Sequence, residues 1–212
     1  YFAGHSLGEY SALVCSESLN LSDALYLLHE RGKAMQSAVP VGKGSMLAVL
    51  GLNIDEVNNL IINDKNKKGT CEIANDNADG QVIISGDKDS IESFQASLKE
   101  KKIKSIPLKV SAPFHCSLMK PAADVMREKI NNINFNNPLL EIINNVTAKA
   151  VSDSNVIKNL LIDQIFSTVK WRESLINMSK LGVTNFVEVG PGKALTGMVK
   201  RTIKKANCFS IN

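Results

Sequence analysis

A pentapeptide near the start of the chain, Gly4-His5-Ser6-Leu7-Gly8, fits the pattern G-x-S-x-G. This pattern is typical of a serine held at a sharp turn between a β-strand and an α-helix, where glycines leave room for the tight backbone. Such a turn follows a central parallel strand that is covered on both faces. The pattern therefore predicts an α/β fold in which Ser6 is exposed at a strand end as a nucleophile.

Composition and charge limit the classes of protein to which the chain can belong. Its 212 residues are 44% hydrophobic and 22% charged, which is typical of a globular protein with room for one large domain and a smaller insertion. No apolar run is long enough to cross a membrane. The net charge of +4 is too small to indicate nucleic-acid binding. We therefore expect neither a membrane nor a nucleic-acid partner.

The cysteines and the basic residues carry two further expectations. The four cysteines lie far apart without a C-x-x-C pair, which indicates free thiols in a reducing compartment and no metal site. Runs of basic residues are mostly solvated surface, but they can also attract an acidic partner. The basic clusters are Lys65/Lys67/Lys68, Lys101/Lys102/Lys104 and Lys200/Arg201/Lys204/Lys205.

The pattern of apolar residues changes between residues 44 and 110. There it predicts the order βαββαβ of a ferredoxin-like unit, with the closing strand in KSIPLKV. The ends of such a unit lie close together, so it can be inserted into a host domain. We predict a core formed by 1–43 and 111–212, and an inserted α+β subdomain over 44–110. Outside the insertion, the patterns predict helices over 7–17, from Ser22 onward, and near 118–131, 155–180 and 193–203, with a strand at Asn185–Val189.

A serine hydroxyl needs a base within hydrogen-bond reach, and the chain has three histidines. His5 is expected to point away across the turn, and His29 lies off the apolar stripe of its helix. His115 follows a predicted strand, in a position where loops often carry function. By elimination we predict that His115 is the base. Several carboxylates fall between Ser6 and His115, so the residues alone define a dyad and leave its orienting acid open.

Arg31 occupies an unusual position in the second helix. On a helical wheel it falls with Ala24, Leu28 and Met35 inside a sector of about 100°, which is the apolar face. A buried guanidinium is costly unless it is paired and hydrogen-bonded. It could form a structural ion pair with an internal Asp or Glu. Alternatively its partner could be a carboxylate on the substrate, which would accept two parallel hydrogen bonds from the planar group.

Four segments of the chain, in order, resemble the malonyl-CoA:acyl carrier protein transacylases. They are GHSLGEYSALVC (4–15), ERGKAMQ (30–36), VSAPFHCSLMKPAA (110–123) and VEVGPGKALTGMVKR (187–201). The resemblance implies a hydrolase-like α/β core with a parallel sheet and a ferredoxin-like insertion. It implies malonyl-CoA as substrate, an acidic acyl carrier protein as partner, no bound cofactor and a role in fatty acid synthesis. It also implies the cytoplasm, or the lumen of an organelle of bacterial origin.

The same resemblance implies a role for each site residue. Ser6 would carry the malonyl group, His115 would be the general base, and Arg31 would pair with the malonyl carboxylate. The main-chain carbonyl of Gln164 would orient His115 in place of a triad acid, and the Leu7 N–H would be an oxyanion donor. Substrate-binding positions would also include Met35 and Phe114, whose ring resembles the malonyl-type pocket that leaves little room for an α-methyl group.

One departure from the family leaves alternatives open. The family carries an upstream glutamine-containing segment whose backbone completes the oxyanion hole, whereas three residues precede Gly4 here. We therefore expect the chain to lack this N-terminal segment, to have an unpaired side on the Ser6 strand, and to be inactive or nearly so by itself. A serine esterase or thioesterase, or a non-catalytic fragment that docks a carrier protein, are the alternatives. Arg31 on an apolar face favours transfer of a carboxylated acyl group.

Overall fold

Strands and helices alternate in the computed structural model of the protein, which describes residues 1–66 and 68–212. The strands are β1 (Phe2–Ala3), β2 (Gly44–Leu50), β3 (Cys71–Ala78), β4 (Gln81–Asp87), β5 (Ser105–Pro107), β6 (Ile142–Ile143), β7 (Ala150–Val151), β8 (Asn185–Val189) and β9 (Asn207–Ile211). The helices are α1 (Gly8–Cys15), α2 (Leu21–Ser37), α3 (Ile54–Ile62), α4 (Lys88–Glu100), α5 (Lys120–Asn131), α6 (Ser154–Gln164), α7 (Trp171–Lys180) and α8 (Ala194–Thr202). The predicted α/β class is confirmed. Lys67 of the first basic cluster lies outside the described residues.

The strand before Ser6 belongs to a small mixed sheet. β1 pairs in parallel with β6, and β6 pairs antiparallel with β7. β7 departs from the predicted parallel arrangement because the short turn after Ile143 can only reverse the chain, whereas a parallel return needs a long crossover. β8 and β9 form a separate parallel pair. Within residues 1–66 and 68–212, no strand pairs with the second side of β1.

Residues 44–110 contain a four-stranded antiparallel sheet with the order β3-β4-β2-β5. Together with α3 and α4, the strands follow the predicted order βαββαβ along the chain. Buried Leu47, Val82 and Phe94 belong to the core of this unit. The closing strand ends at Pro107 and is shorter than the predicted KSIPLKV. The boundaries of the unit at residues 44 and 110 stay a prediction.

Helix α2 places Arg31 beside the Ser6 turn. It begins after Asn20, whose side chain accepts a hydrogen bond from the Asp23 N–H, a standard N-cap. Its buried face consists of Ala24, Leu27, Arg31 and Met35. Because this face packs on α5 and the main apolar cluster, the guanidinium lies inside the protein.

The predicted helical stretch near 155–180 is interrupted between α6 and α7. The intervening loop bonds to β3: the Val169 N–H donates to the Ala74 carbonyl at 2.9 Å, and the Asp76 N–H donates to the Val169 carbonyl at 3.0 Å. These bonds use backbone groups of the loop that a continuous helix would need, and they attach the loop to the sheet of residues 44–110. As a result α6 ends at Gln164, close to Ser6. Of the helices in the described ranges, none has the length and apolar character of a membrane span.

Candidate active site

The turn around Ser6 has the geometry that its sequence pattern predicts. Ser6 adopts a left-handed backbone conformation with φ 51°, which is uncommon for a residue with a side chain. At Gly4, an added Cβ would lie 1.9 Å from the Gly8 carbonyl oxygen, so only glycine fits there. At Gly8, an added Cβ would meet nothing within 4 Å. The first glycine of the pattern is therefore required by close backbone contact, and the second is not.

Ser6 and His115 lie within hydrogen-bond distance. The Ser6 Oγ is 2.8 Å from His115 Nε2, and His115 Nδ1 is 2.8 Å from the Gln164 carbonyl oxygen. Since a carbonyl only accepts, Nδ1 carries the proton and Nε2 is free to accept from the serine hydroxyl. Burial, followed by the charge of Arg31, lowers the pKa of His115 to about 3. The imidazole is therefore neutral at pH 7 and can take a proton.

The Gln164 carbonyl occupies the position in which a triad would have an acid. Gln164 is the last residue of α6, and the final carbonyls of a helix have no partner inside the helix. The partial negative charge at this helix end favours an N–H donor. A neutral oxygen thus orients the imidazole without adding a carboxylate to the site.

His115 does not follow a strand directly, as the sequence suggested. β5 ends at Pro107, and His115 lies in the loop before α5 with φ 58°. Of the other histidines, His29 has a side chain that is 70% exposed. His5 Nε2 is 2.8 Å from Asn77 Oδ1, and its ring lies against Trp171. Of the three histidines, the structure therefore brings only His115 to the serine hydroxyl, and its role as the base stays a prediction.

The guanidinium of Arg31 is buried and has no carboxylate within salt-bridge distance among the described residues. Its side chain donates from Nη2 to Ser6 Oγ at 2.9 Å and to Gln164 Oε1 at 3.1 Å, and the residue is 7% exposed. Its Nε has no hydrogen-bond partner, and none of the ion pairs in the described part of the chain includes it. Burial lowers the pKa of Arg31. A structural ion pair, the first alternative drawn from the sequence, is therefore not present.

The predicted substrate-binding residues share a cavity of about 470 Å³ with Ser6 and His115. Met35, Phe114 and Arg31 all line it. The unit of residues 44–110 contributes Met46 and other side chains. The cavity thus combines a hydroxyl, an imidazole and a cation in one mainly apolar, solvent-accessible pocket.

The backbone amides around the turn differ in what they bind. The Ser6 N–H donates to Asn145 Oδ1 at 2.7 Å, so it is already occupied. The Leu7 carbonyl accepts from the Tyr10 N–H at 3.1 Å, and the Leu7 N–H is at the start of α1, where amides have no partner inside the helix. Leu7 as a residue is 55% exposed. The Leu7 amide is therefore placed next to the serine as an available donor.

Sequence reasoning missed three buried polar residues behind the turn. Asn145 Nδ2 donates to the Gly4 carbonyl at 2.8 Å, so this side chain bonds to both sides of the turn. Glu9 and Asn144 are also buried and lie next to it. Two features of the sequence could have indicated these residues: a pair of asparagines directly after two isoleucines, and a glutamate directly after the G-x-S-x-G pattern. Within residues 1–66 and 68–212, no group of three His, Cys, Asp or Glu side chains could hold a metal ion.

Comparisons with known proteins agree on one family. The family model described as acyl transferase domain matches residues 1–211. The malonyl CoA-acyl carrier protein transacylase of Haemophilus influenzae is 44% identical, over 99% of this chain and 67% of that protein. The corresponding protein of Bacillus subtilis is 38% identical, over 100% of this chain and 67% of that protein. The chain therefore spans about two thirds of the length of these relatives.

Solved structures give the same result. The acyl carrier protein S-malonyltransferase of Vibrio cholerae superposes with a TM-score of 0.95 at 42% identity, covering 99% of this chain and 69% of that one. A malonyl-transacylase solved in complex with its type II PKS acyl-carrier protein superposes with a TM-score of 0.94 at 37% identity, covering 99% of this chain and 68% of that one.

Proposed function

Because this chain belongs to the acyl transferase domain family, we propose that it moves a malonyl group from malonyl-CoA to the phosphopantetheine thiol of acyl carrier protein. The group is carried as a malonyl ester of Ser6, and the product supplies fatty acid synthesis. The observation that carries the proposal is the contact of 2.8 Å between Ser6 Oγ and His115 Nε2, beside the buried guanidinium of Arg31. The names of the similar proteins support the same substrate and partner.

In the first half of the reaction, His115 Nε2 takes the proton of Ser6 as Oγ attacks the thioester carbonyl of malonyl-CoA. The C–O bond forms, the C–S bond breaks, and the departing thiolate takes the proton from His115. In the second half, the carrier-protein thiol gives its proton to His115 and attacks the ester, and Ser6 recovers the proton. The Leu7 N–H stabilises the oxyanion in both halves, and the Gln164 carbonyl keeps the imidazole oriented.

Arg31 supplies specificity for an acyl group that ends in a carboxylate. Without substrate its Nη2 contacts Ser6 Oγ, and its Nε has no partner among the described residues. A malonyl carboxylate accepts two hydrogen bonds from this planar group, which offsets the cost of its burial. Met35 and Phe114 cover the apolar part of the acyl group, and the Phe114 ring leaves little room for an α-methyl substituent.

We expect Arg31→Ala to weaken malonyl transfer far more than acetyl transfer, because only malonyl pairs with the guanidinium. The lost charge-assisted bonds correspond to about 2–5 kcal/mol. Arg31→Lys should restore part of the loss, since an ammonium cannot form two parallel bonds. The measurement is kcat/KM with malonyl-CoA and acetyl-CoA for each variant. An equal loss with both donors would show that Arg31 is structural.

Intact-mass analysis after incubation with malonyl-CoA tests the function against its alternatives. A transacylase accumulates a malonyl adduct that is discharged when carrier protein is added. An esterase or thioesterase releases free malonate to water instead, and a non-catalytic docking fragment forms no adduct. Arg31 is buried and forms no direct ion pair among the described residues, which favours the first outcome, since an esterase for neutral acyl groups has no use for a buried cation.

The basic cluster near the C-terminus is our candidate for part of the carrier-protein surface. Lys200, Arg201, Lys204 and Lys205 are all exposed, and Arg201 donates to Gln81 Oε1 at 3.1 Å. Complementary charge mainly speeds encounter with an acidic partner. We expect the double variant Lys204→Glu/Lys205→Glu to raise the KM for carrier protein and to leave the reaction with malonyl-CoA unchanged.

The effect of this charge reversal should shrink at high salt, because salt screens exposed charges. Lys120 and Lys149, which are exposed and lie outside the three basic clusters, provide a matched control. Reversing these two charges should leave the KM unchanged. If the two double variants behave alike, the docking surface lies elsewhere.

We also assign the protein to a reducing compartment, either the cytoplasm or the lumen of an organelle of bacterial origin. Cys15, Cys116 and Cys208 form no disulfide. Free thiols persist where glutathione or thioredoxin keeps them reduced. The similar proteins named above come from bacteria.

A further inference from the structure

Glu9 is a buried carboxylate that the reaction described above does not use. It is the second residue of α1, directly behind the Ser6 turn, and it is 1% exposed. Its Oε1 accepts from Asn144 Nδ2 at 2.5 Å, and its Oε2 accepts from Gln164 Nε2 at 2.7 Å and from the Asn145 N–H at 3.3 Å. A buried carboxylate is costly, and here three donors are arranged to stabilise it.

The first branch of this network leads to Arg31 through the Gln164 side chain. Gln164 Nε2 donates to Glu9 and, at 3.1 Å, to the Ser6 carbonyl, while Gln164 Oε1 accepts from Arg31 Nη2 at 3.1 Å. A carboxylate and a carbonyl can only accept, so the amide must present its NH₂ group to them. This orientation leaves the amide oxygen facing the guanidinium.

The second branch leads to Ser6 through Asn145. The Asn145 N–H donates to Glu9, while the Asn145 side chain accepts from the Ser6 N–H at 2.7 Å and donates to the Gly4 carbonyl at 2.8 Å. Glu9 therefore contacts the residues that hold both the nucleophile and the cation. The two branches start from one carboxylate and end on different parts of the site.

We infer that Glu9 is a positioning residue for malonyl transfer: its carboxylate sets the amide orientation of Gln164 and thereby holds Arg31 for the malonyl carboxylate. The inference rests on the proposed function, because it gives Arg31 a substrate carboxylate to bind. Glu9 does not touch the reacting atoms. It acts through Gln164 on specificity and through Asn145 on the shape of the Ser6 turn.

Protonation of Glu9 should disturb this arrangement. All of its hydrogen-bond partners donate, and the Asn144 amide is held in place because its Oδ1 accepts from the Val146 and Thr147 N–H groups. To accept an added proton the Gln164 amide would have to turn, which would bring its NH₂ group against Arg31. Burial raises the pKa of Glu9 to about 7. The charged or titratable groups around it are Arg31 on α2 and Tyr10 on α1, while α6 and the turn after β6 contribute neutral amides. The carboxylate is ionised above about pH 7, so the preference for malonyl over acetyl should be high there and fall below it.

The decisive variant is Glu9→Gln, which keeps the shape but replaces one acceptor oxygen by a donor. We expect kcat/KM for malonyl-CoA to fall about 10- to 100-fold, with a smaller fall for acetyl-CoA, because buried donors lose their partner. In this variant the preference for malonyl over acetyl should no longer change with pH near pH 7. Glu30→Gln is the matched control, because Glu30 precedes Arg31 but bonds to Lys33 and Lys129 outside the site. It should leave both measurements unchanged.

Gln164→Met provides a second test if Glu9→Gln does not fold. It removes the side-chain amide but keeps the main-chain carbonyl that accepts from His115. It should lower the preference for malonyl as Glu9→Gln does. If both single variants fold, the double variant should lower this preference no further than the more severe of the two, because both act on Arg31 through the Gln164 amide. An unchanged preference in the folded variants, or an equal fall with both donors, would overturn the inference. Absence of malonyl transfer by the unmodified enzyme would instead remove the proposed function itself.

Discussion

The variant Ser6→Ala should form no malonyl-enzyme and should lose transfer activity by about 10⁴-fold or more. The proposed reaction has one nucleophilic atom, Ser6 Oγ, and it accepts from Arg31 and contacts His115 within 2.9 Å. Alanine removes that atom without changing the rest of the turn. The measurement is intact mass after incubation with malonyl-CoA, together with the rate of transfer to carrier protein.

Ser11→Ala is a suitable control, because Ser11 is an exposed serine on α1, the helix that follows the turn. It should be labelled at the normal rate. Normal labelling of the Ser6→Ala protein would remove the assignment of the nucleophile, whatever the transfer rate.

The second large effect is expected for His115→Ala, which should slow malonyl-enzyme formation by several orders of magnitude, about 10⁴-fold. Without the imidazole, the only described contact of Ser6 Oγ is Arg31, which is a cation and can only donate. The single-turnover rate with malonyl-CoA is the measurement. Because burial lowers the pKa of His115 to about 3, this residue should not cause a loss of rate in the unmodified enzyme between pH 7 and pH 5.

His29→Ala serves as the control, because His29 is largely exposed on α2 and lies outside the cavity. Its rate should equal that of the unmodified enzyme. If the His115 variant kept more than about a tenth of the rate, general-base catalysis by this residue would be too small to support the proposed mechanism.

Both members of the dyad have left-handed backbone conformations, at φ 51° for Ser6 and φ 58° for His115. Non-glycine residues in this region carry strain of about 1–3 kcal/mol, which persists only where surrounding contacts hold the backbone. Around Ser6 those contacts are the hydrogen bonds of Asn145 to both sides of the turn. The polar residues behind the turn therefore support a conformation that places Oγ in the cavity.

Elements with a strong local pattern were predictable from the sequence. The order βαββαβ over residues 44–110 follows from alternating and helical periodicities in consecutive segments, and the structure has it. The short strands β6 and β7 were missed because two residues carry no periodicity, and they become strands only through pairing with distant segments. β9 was missed beyond the last predicted helix, and it too is defined by its pairing with β8.

By itself, the sequence determined the nucleophile turn, the histidine that elimination left and the arginine on an apolar helix face. Each of these can be read within a few residues, because turn geometry and helix periodicity are local. The tertiary structure alone decided what surrounds them. Gln164 reaches His115 because the loop between α6 and α7 hydrogen-bonds to β3, so that α6 ends at Gln164. Asn145 reaches Ser6 although the two residues are 139 positions apart in the chain. Such partners are ordinary amides in sequence, and only packing brings their donors and acceptors within hydrogen-bond distance.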